Sequence, residues 1–344
     1  MSQALLDVKD LKVEYRGRPP TRAVDGVSFQ LGAGENLGLV GESGCGKTTT
    51  ARAVLGLLPR TAKVVGGVVN WDGADLLRYT SREWRRIRWT EIALVPQSAM
   101  NSLDPVYRMR DQIVEAIRTH EKVTEKAARE RAVDLCKLVG IEPQRLMDYP
   151  HQLSGGMKQR MVIAMALALS PRLIVADEPT TALDVIIQDR ILERVVQLQR
   201  ELKFSMIYIS HDIAVIAETC QRVAVMYAGQ IVEQGRILDV LKQPAHPYTM
   251  GLKNAFPDIR KPKPLISIPG HPPTLAPPPG GCRFAPRCPF ATALCVEQVP
   301  PLIDVGGGQL AACHYVGNAP AMRAAAQQAS TWLGAASQVE VVAV

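Results

Sequence analysis

Residues 41–48 read Gly-Glu-Ser-Gly-Cys-Gly-Lys-Thr and follow an apolar run at 36–40. The spacing Gly-x-x-x-x-Gly-Lys-Thr between a strand and a helix is typical of a phosphate-binding loop. Backbone N–H groups of such a loop, and the start of the next helix, surround a β-phosphate. We expect Lys47 to neutralise the β- and γ-phosphates and Thr48 to bind Mg²⁺. The stretch therefore predicts a nucleotide site.

The segments around this loop alternate between strand and helix patterns. Strand-like stretches occur at 11–15, 27–31 and 36–40, and a helix pattern runs from Lys47 to about Leu58, before Pro59. Apolar runs at 173–176 and 204–210 flank a helix pattern at 184–202. Such alternation predicts an α/β fold with a parallel sheet. Helix patterns also fill 107–147 and 156–169, so we expect a helical subdomain at about 98–170.

Two acidic residues end the apolar run at 173–176. Asp177 would reach Mg²⁺ through water, and Glu178 would act as the general base on the attacking water. Two acids after a buried strand can also simply mark the point where the strand end reaches solvent. The phosphate loop upstream favours the catalytic interpretation.

A third element lies between these two. Residues 153–160 read Leu-Ser-Gly-Gly-Met-Lys-Gln-Arg, and Ser154 precedes Asp177 by 23 residues. Taken alone, Ser154 with Gly155 and Gly156 could be an ordinary helix N-cap. The glycines would equally let the backbone approach a phosphate at the positive end of the helix.

The order of these elements resembles the ATP-binding cassette family. The resemblance covers about residues 4–250 and implies a P-loop NTPase cassette with a RecA-like core, an antiparallel β subdomain and a helical subdomain. It identifies Gln97 with the Q-loop glutamine, Asp184 with the D-loop aspartate and His211 with the switch histidine. Tyr15 corresponds to the aromatic residue that stacks on adenine, although strand tyrosines are common.

The resemblance also implies which residues serve which ATP. Mg²⁺ would be bound by Thr48, Gln97 and Asp177, and catalysis would use Glu178, His211 and Gln97. The signature element would serve the ATP of a second cassette in trans, through Ser154, Gly155, Gly156 and Gln159. The chain's own ATP-binding residues would be Tyr15, Gly41, Glu42, Ser43, Gly44, Cys45, Gly46, Lys47, Thr48 and Thr49.

Composition changes after Pro244. Residues 246–320 hold 15 of the 25 prolines, a composition that excludes long helices and central strands. Cys282, Cys288, Cys295 and Cys313 fall in this region, separated by 5, 6 and 17 residues. Structural zinc sites generally use closer pairs, so we expect a [4Fe–4S] cluster, with zinc or free cysteines without metal as the alternatives and His314 as a weak alternative ligand. The predicted domains are therefore 1–245, 246–320 and a tail at 321–344, which is helical or disordered.

Three stretches narrow the resemblance to the oligopeptide/dipeptide and nickel importers. They are residues 100–105, residues 177–185 and the motif His246-Pro-Tyr-Thr249 before the proline-rich region. This resemblance implies an importer ATPase for di- or oligopeptides. Nickel, glutathione or a β-glucoside stay open as cargo, and a soluble cassette ATPase outside transport is the less favoured alternative.

Partners and location follow from the same resemblance. We expect a second, paralogous ATPase subunit (a homodimer being the second choice), two transmembrane permease subunits and an extracytoplasmic substrate-binding protein. The net charge of +7 would suit nucleic acid, but the resemblance gives no nucleic-acid partner. No apolar run approaches the roughly 20 residues of a membrane span, and the N-terminus lacks a secretory signal pattern. We therefore expect a peripheral protein on the cytoplasmic face of the inner membrane.

Overall fold

The structure is a computed structural model that describes residues 4–97, 101–179, 184–255 and 265–333. Parts of the stretches discussed above lie outside these ranges: residues 98–100 of 98–170, residue 100 of 100–105, residues 180–183 of 177–185, residues 256–264 of 246–320, and the tail from 334. The strands are β1 (Leu6–Tyr15), β2 (Thr21–Leu31), β3 (Asn36–Val40), β4 (Ala62–Trp71), β5 (Ala74–Asp75), β6 (Ile92–Val95), β7 (Leu173–Asp177), β8 (Ser205–Ser210), β9 (Arg222–Tyr227), β10 (Gln230–Arg236), β11 (Ile303–Gly306) and β12 (Gln309–Ala311).

The helices alternate with these strands over most of the chain. They are α1 (Lys47–Val54), α2 (Ser81–Ile87), α3 (Met109–His120), α4 (Glu125–Leu138), α5 (Gly155–Ala166), α6 (Val185–Leu202), α7 (Ile213–Thr219), α8 (Ile237–Lys242), α9 (Pro247–Asn254), α10 (Ala293–Glu297) and α11 (Ala319–Ala326). In the described ranges, no helix is both long and apolar enough to cross a bilayer.

The chain divides into two compact units. The first comprises Met1–Leu5, Leu31–Asn36 and Arg78–Ile209. Its strands β6, β7 and β8 are parallel, with β7 in the middle and buried along its whole length. Burial on both faces explains the uniformly apolar sequence that precedes Asp177.

Three helices of the first unit, α3, α4 and α5, lie inside the stretch predicted as a helical subdomain. α4 packs against both α3 and α5. The residue before the first turn of each helix is polar and has an extended backbone. The Thr124 hydroxyl caps α4 by accepting a hydrogen bond from the N–H of Ala127 at 3.2 Å.

The second unit comprises Leu6–Gln30, Leu37–Leu77 and Ser210–Val344. It contains an antiparallel sheet in the order β2-β1-β4-β5, which is the predicted antiparallel β subdomain. It also contains β3, which pairs in parallel with β9. Strand β9 in turn pairs antiparallel with β10. The phosphate loop leaves the carboxyl end of β3 and opens α1, as the sequence predicts.

The proline-rich region joins the same unit. β12 pairs antiparallel with β10, and β11 pairs with β12. In the described part of 246–320, no helix exceeds the eight residues of α9, in agreement with the proline content. The domain boundaries at 245 and 320 stay a prediction.

Several predicted helix ends are moved by local backbone geometry. α1 ends at Val54 rather than near Leu58, because Gly56 takes a left-handed φ of 61° directly after the C-cap. α5 ends at Ala166 rather than Leu169, and Ser170 has a left-handed φ of 51°. A left-handed glycine therefore accounts for the early end of α1, while α5 passes into a turn at Leu167.

Candidate nucleotide site

The phosphate loop is held by its own lysine. The Lys47 ammonium is buried, with 5% of the residue exposed, and donates to the carbonyls of Gly41 at 2.7 Å and Glu42 at 3.0 Å. Its nitrogen also lies 3.7 Å from the Cys45 sulfur. Burial raises the pKa of the Cys45 thiol, which favours its neutral form. The arrangement places one positive charge at the centre of the loop.

Two glycines of the loop have no room for a side chain. A Cβ on Gly41 would lie 2.1 Å from the Met226 carbonyl oxygen, and one on Gly46 would lie 2.5 Å from the Ala23 carbonyl oxygen. Gly46 also has a φ of 108°, which side chains rarely adopt. Close backbone packing therefore fixes the path of the loop.

Tyr15 lies beside the start of α1. The Tyr15 hydroxyl is 3.3 Å from the Thr49 hydroxyl. Thr48, the residue before Thr49, is half-buried in the first turn of α1. The structure thus brings the predicted adenine-stacking residue next to the phosphate loop. Its role at adenine stays a prediction.

The acid pair lies in the first unit at the end of β7. Asp177 is 5% exposed, whereas Glu178 is half-buried. The amide of Gln97 donates to the Glu178 carboxylate at 2.9 Å. Glu178 has a left-handed φ of 47°, and its N–H donates to the Ile209 carbonyl at 2.9 Å. Strained non-glycine backbone of this kind occurs preferentially at functional sites.

The Ser-Gly-Gly element begins α5. Ser154 is the N-cap, with its hydroxyl accepting from the N–H of Met157 at 3.3 Å, and the residue is exposed. Gly156 is buried, and a Cβ there would lie 2.7 Å from a methyl carbon of Ile187. Gln159 is only 3% exposed. Ser154 is thus open to solvent, while Gln159 faces the interior of this chain.

The remaining motif residues lie at element ends. Asp184 caps α6 by accepting from the N–H of Ile187 at 2.9 Å. His211 is exposed directly after β8. The second unit holds the phosphate loop, Tyr15 and His211, and the first unit holds Gln97, Asp177, Glu178, Ser154 and Asp184.

The proline-rich region is anchored to the second unit by a buried carboxylate. Glu233 in β10 is fully buried and accepts from the N–H groups of Ala245 at 2.7 Å and His246 at 3.0 Å, and from the Gln309 amide at 2.6 Å. Burial raises the pKa of Glu233. This side chain therefore ties β10 to the start of α9 and to β12.

The four clustered cysteines line one small cavity. The cavity measures about 20 Å³ and is lined by Cys282, Cys288, Cys295 and Cys313, with His314 at the same wall. Burial raises the pKa of Cys282 and Cys288, and raises that of Cys313 to about 11. Among the described residues, no three His, Cys, Asp or Glu side chains are grouped closely enough to hold a metal ion. The four thiols therefore line one cavity without forming a metal site in this arrangement.

Comparison with known proteins identifies the family. The family described as "ABC transporter" matches residues 24–181, and the family described as "Oligopeptide/dipeptide transporter, C-terminal region" matches residues 232–295. The probable peptide ABC transporter ATP-binding protein y4tR of Sinorhizobium fredii is 50% identical over 90% of this chain and 94% of that protein. The chain belongs to the ABC transporter ATPase family.

Other relatives and solved structures agree. The dipeptide transport ATP-binding protein DppD of Haemophilus influenzae is 45% identical over 90% of this ABC ATPase and 95% of its own length. The oligopeptide transport ATP-binding protein OppD of Bacillus subtilis is 44% identical over 91% of this chain and 87% of its own length. The dimeric ATP-binding cassette MJ0796, in a post-hydrolysis state with ADP and Pi, is 27% identical with a TM-score of 0.61 over 67% of this chain and 98% of that chain.

These findings confirm the predicted family, the P-loop cassette fold and an ATP-hydrolysing activity. They also confirm that ATP is the nucleotide. Peptide cargo, the partner subunits and the metal at the cysteines are finer predictions, and the roles of the individual site residues stay predictions.

Sequence reasoning missed two residues that contact the phosphate loop from the C-terminal part of the chain. The Tyr248 hydroxyl accepts from the N–H of Glu42 at 2.9 Å, and Arg287 forms an ion pair with the Glu42 carboxylate at 2.8 Å. The sequence offered one signal for Arg287. This charged residue directly precedes Cys288, within the segment whose cysteines predict a metal site.

Proposed function

We propose that this chain hydrolyses ATP to power the import of di- or oligopeptides. The observation that carries the proposal is identity of 42–50% with peptide transport ATP-binding proteins over about nine-tenths of the chain. The match of residues 232–295 to the oligopeptide/dipeptide transporter C-terminal region adds support. Other cassette ATPases share the nucleotide motifs, so the C-terminal region is the more selective of the two signals.

Each residue of the nucleotide site has a proposed role in hydrolysis. Lys47 binds the β- and γ-phosphates, and the loop N–H groups hold the phosphate chain. Thr48 and Asp177 hold Mg²⁺, which neutralises phosphate charge as it develops. Glu178 accepts the proton of the attacking water, and the Gln97 amide orients its carboxylate. His211 contacts the γ-phosphate.

We also propose a second cassette as an obligate partner. Ser154 is exposed at the positive end of α5, a 12-residue helix whose first-turn N–H groups can bind a phosphate. Support comes from MJ0796, a cassette whose structures are dimeric. We expect a paralogous partner first and a homodimer second, with Ser154 serving the partner's ATP.

Two permease subunits and an extracytoplasmic binding protein complete the proposed importer. An open groove of about 630 Å³ in the first unit is lined by Asp104, Tyr107, Asp111 and Glu115 among others. Tyr107 is 56% exposed, and its neighbour Val106 is 71% exposed. Exposed apolar side chains beside an acidic groove suit a cytoplasmic loop of a permease. The chain would then work at the cytoplasmic face of the inner membrane.

The cysteine cavity is proposed to hold a [4Fe–4S] cluster, with zinc as the alternative. Cys282, Cys288, Cys295 and Cys313 would be the ligands, and a cluster would cross-link a region that has few regular elements. Iron, sulfide and zinc analysis of protein purified without oxygen tests this. Four iron and four sulfide per chain support the cluster, and stoichiometric zinc without iron contradicts it.

The cargo is tested on the intact complex. Membranes carrying a tagged copy of this chain would be solubilised, and the co-purifying permeases reconstituted into liposomes with ATP and the binding protein. Labelled di- and oligopeptides are expected to accumulate. Accumulation of nickel, glutathione or a β-glucoside instead would show that the importer has a different cargo but the same ATP-driven mechanism. Absence of any co-purifying permease would favour a soluble ATPase.

A further inference from the structure

Arg287 is buried with every guanidinium donor engaged. Its side chain is 4% exposed. One terminal nitrogen donates to a Glu42 oxygen at 2.8 Å and to the Tyr227 hydroxyl at 3.2 Å. The other donates to the second Glu42 oxygen at 3.0 Å and to the Ile268 carbonyl at 3.3 Å, and Nε donates to the Pro269 carbonyl at 2.9 Å. Five acceptors for five N–H groups fix the guanidinium in one orientation.

Glu42 is the second residue of the phosphate loop, and both its backbone and its side chain are held. Its N–H donates to the Tyr248 hydroxyl at 2.9 Å, and its carbonyl accepts from Lys47 at 3.0 Å. Its carboxylate is about one quarter exposed and forms the two-pronged ion pair with Arg287. The loop that receives a polyanion thus contains a carboxylate whose charge is matched from elsewhere in the same unit.

We propose that Arg287 is a positioning residue for ATP binding, which neutralises Glu42 and holds the phosphate loop in its binding conformation. Without Arg287, a free carboxylate one residue after Gly41 would repel the nucleotide phosphates and loosen the loop. Because Arg287 directly precedes Cys288, this ion pair makes the C-terminal cysteine segment a determinant of ATP affinity. The inference depends on the nucleotide site and not on the cargo or on the metal.

The test measures the Kd of a non-hydrolysable ATP analogue, with Mg²⁺, on the full chain. Arg287→Gln is expected to raise the Kd about tenfold, because the unmatched carboxylate repels phosphate. The decisive variant adds Glu42→Gln to Arg287→Gln. Removing the second charge is expected to restore the Kd to within about threefold of wild type.

Salt and a control arginine separate this role from general loss of structure. The ratio between the Kd of Arg287→Gln and that of wild type is expected to shrink as ionic strength rises from about 0.05 to 0.5 M, because salt screens the repulsion. Arg323→Gln removes a C-terminal arginine whose hydrogen bond goes to the Pro244 carbonyl, and it is expected to leave the Kd unchanged.

Arg287→Lys covers the case in which Arg287→Gln does not fold. Lysine keeps the charge but not the two-pronged contact, so its Kd is expected to lie between those of wild type and Arg287→Gln. A double variant that binds no better than Arg287→Gln, a salt-independent ratio, or a tenfold loss in a folded Arg287→Lys protein would each overturn the proposal.

Discussion

The side-chain amide of Gln97 donates a hydrogen bond to the carboxylate of Glu178 at 2.9 Å. The two residues follow the ends of neighbouring parallel strands, β6 and β7. The amide thereby restricts the orientation of the Glu178 carboxylate. The contact therefore joins the residue predicted as the Q-loop glutamine to the proposed general base within one unit.

Glu178→Gln is expected to stop ATP hydrolysis while ATP still binds. Removal of a general base costs about 10²–10⁴-fold in rate, and the phosphate loop is unchanged. Phosphate release and binding of a fluorescent ATP analogue measure the two effects. Glu201→Gln on α6, where Glu201 accepts from Gln197 at 2.8 Å, is the control with normal turnover. Wild-type hydrolysis by Glu178→Gln would exclude it as the base.

Ser154→Asp is expected to prevent the cassettes from closing on ATP. Aspartate caps a helix as well as serine does, so α5 stays folded, but its charge would repel the partner's γ-phosphate. Ser154→Asn keeps the cap without the charge and is the matched control. ATP-dependent dimerisation, measured by light scattering, should be lost in Ser154→Asp and kept in Ser154→Asn. Equal dimerisation in both variants would contradict a role in trans.

Gly46→Ala is expected to abolish nucleotide binding. Its Cβ would lie 2.5 Å from the Ala23 carbonyl at a φ of 108°, so the loop would have to move. Gly308, outside the phosphate loop, provides the comparison, because it also has a left-handed φ, of 78°, but a Cβ there would meet no heavy atom within 4 Å. Gly308→Ala adds only backbone strain, about 1–2 kcal/mol, and should still bind ATP. Equal loss of affinity in the two variants would show that steric contact is not the cause.

Glu233→Ala is expected to detach the C-terminal region. It leaves the N–H groups of Ala245 and His246 and the Gln309 amide without their acceptor. Each unsatisfied buried donor costs about 1–3 kcal/mol. Urea unfolding should show a loss of several kcal/mol, whereas Glu297→Ala, at an exposed position of α10, should change little. A similarly small change in the free energy of unfolding of both variants would contradict the anchoring role of Glu233.

Much of the cassette could be predicted from local sequence. The phosphate loop, β7 with its acid pair and the start of α5 are specified by short-range patterns: glycine spacing, a buried apolar run and a serine N-cap. The same patterns misplaced the end of α1, because Gly56 adopts a left-handed conformation that a helix pattern does not reveal.

The contacts of the C-terminal region could not be predicted. Glu42 and Arg287 are 245 residues apart, and the buried position of Arg287 depends on how the proline-rich segment folds. The buried position of Glu233 likewise depends on β12, which pairs with β10 from far along the chain. Such long-range pairs arise from tertiary packing, which the composition of either segment does not encode.

ATP-driven peptide uptake by the intact complex tests the central claim most directly. Liposomes would contain the complex isolated through a tag on this chain, with ATP enclosed and the binding protein and labelled dipeptide outside. Uptake is expected with wild-type protein and is expected to vanish with Glu178→Gln in this chain. ATP hydrolysis without accumulation of any peptide, or equal uptake by the Glu178→Gln complex, would contradict the account.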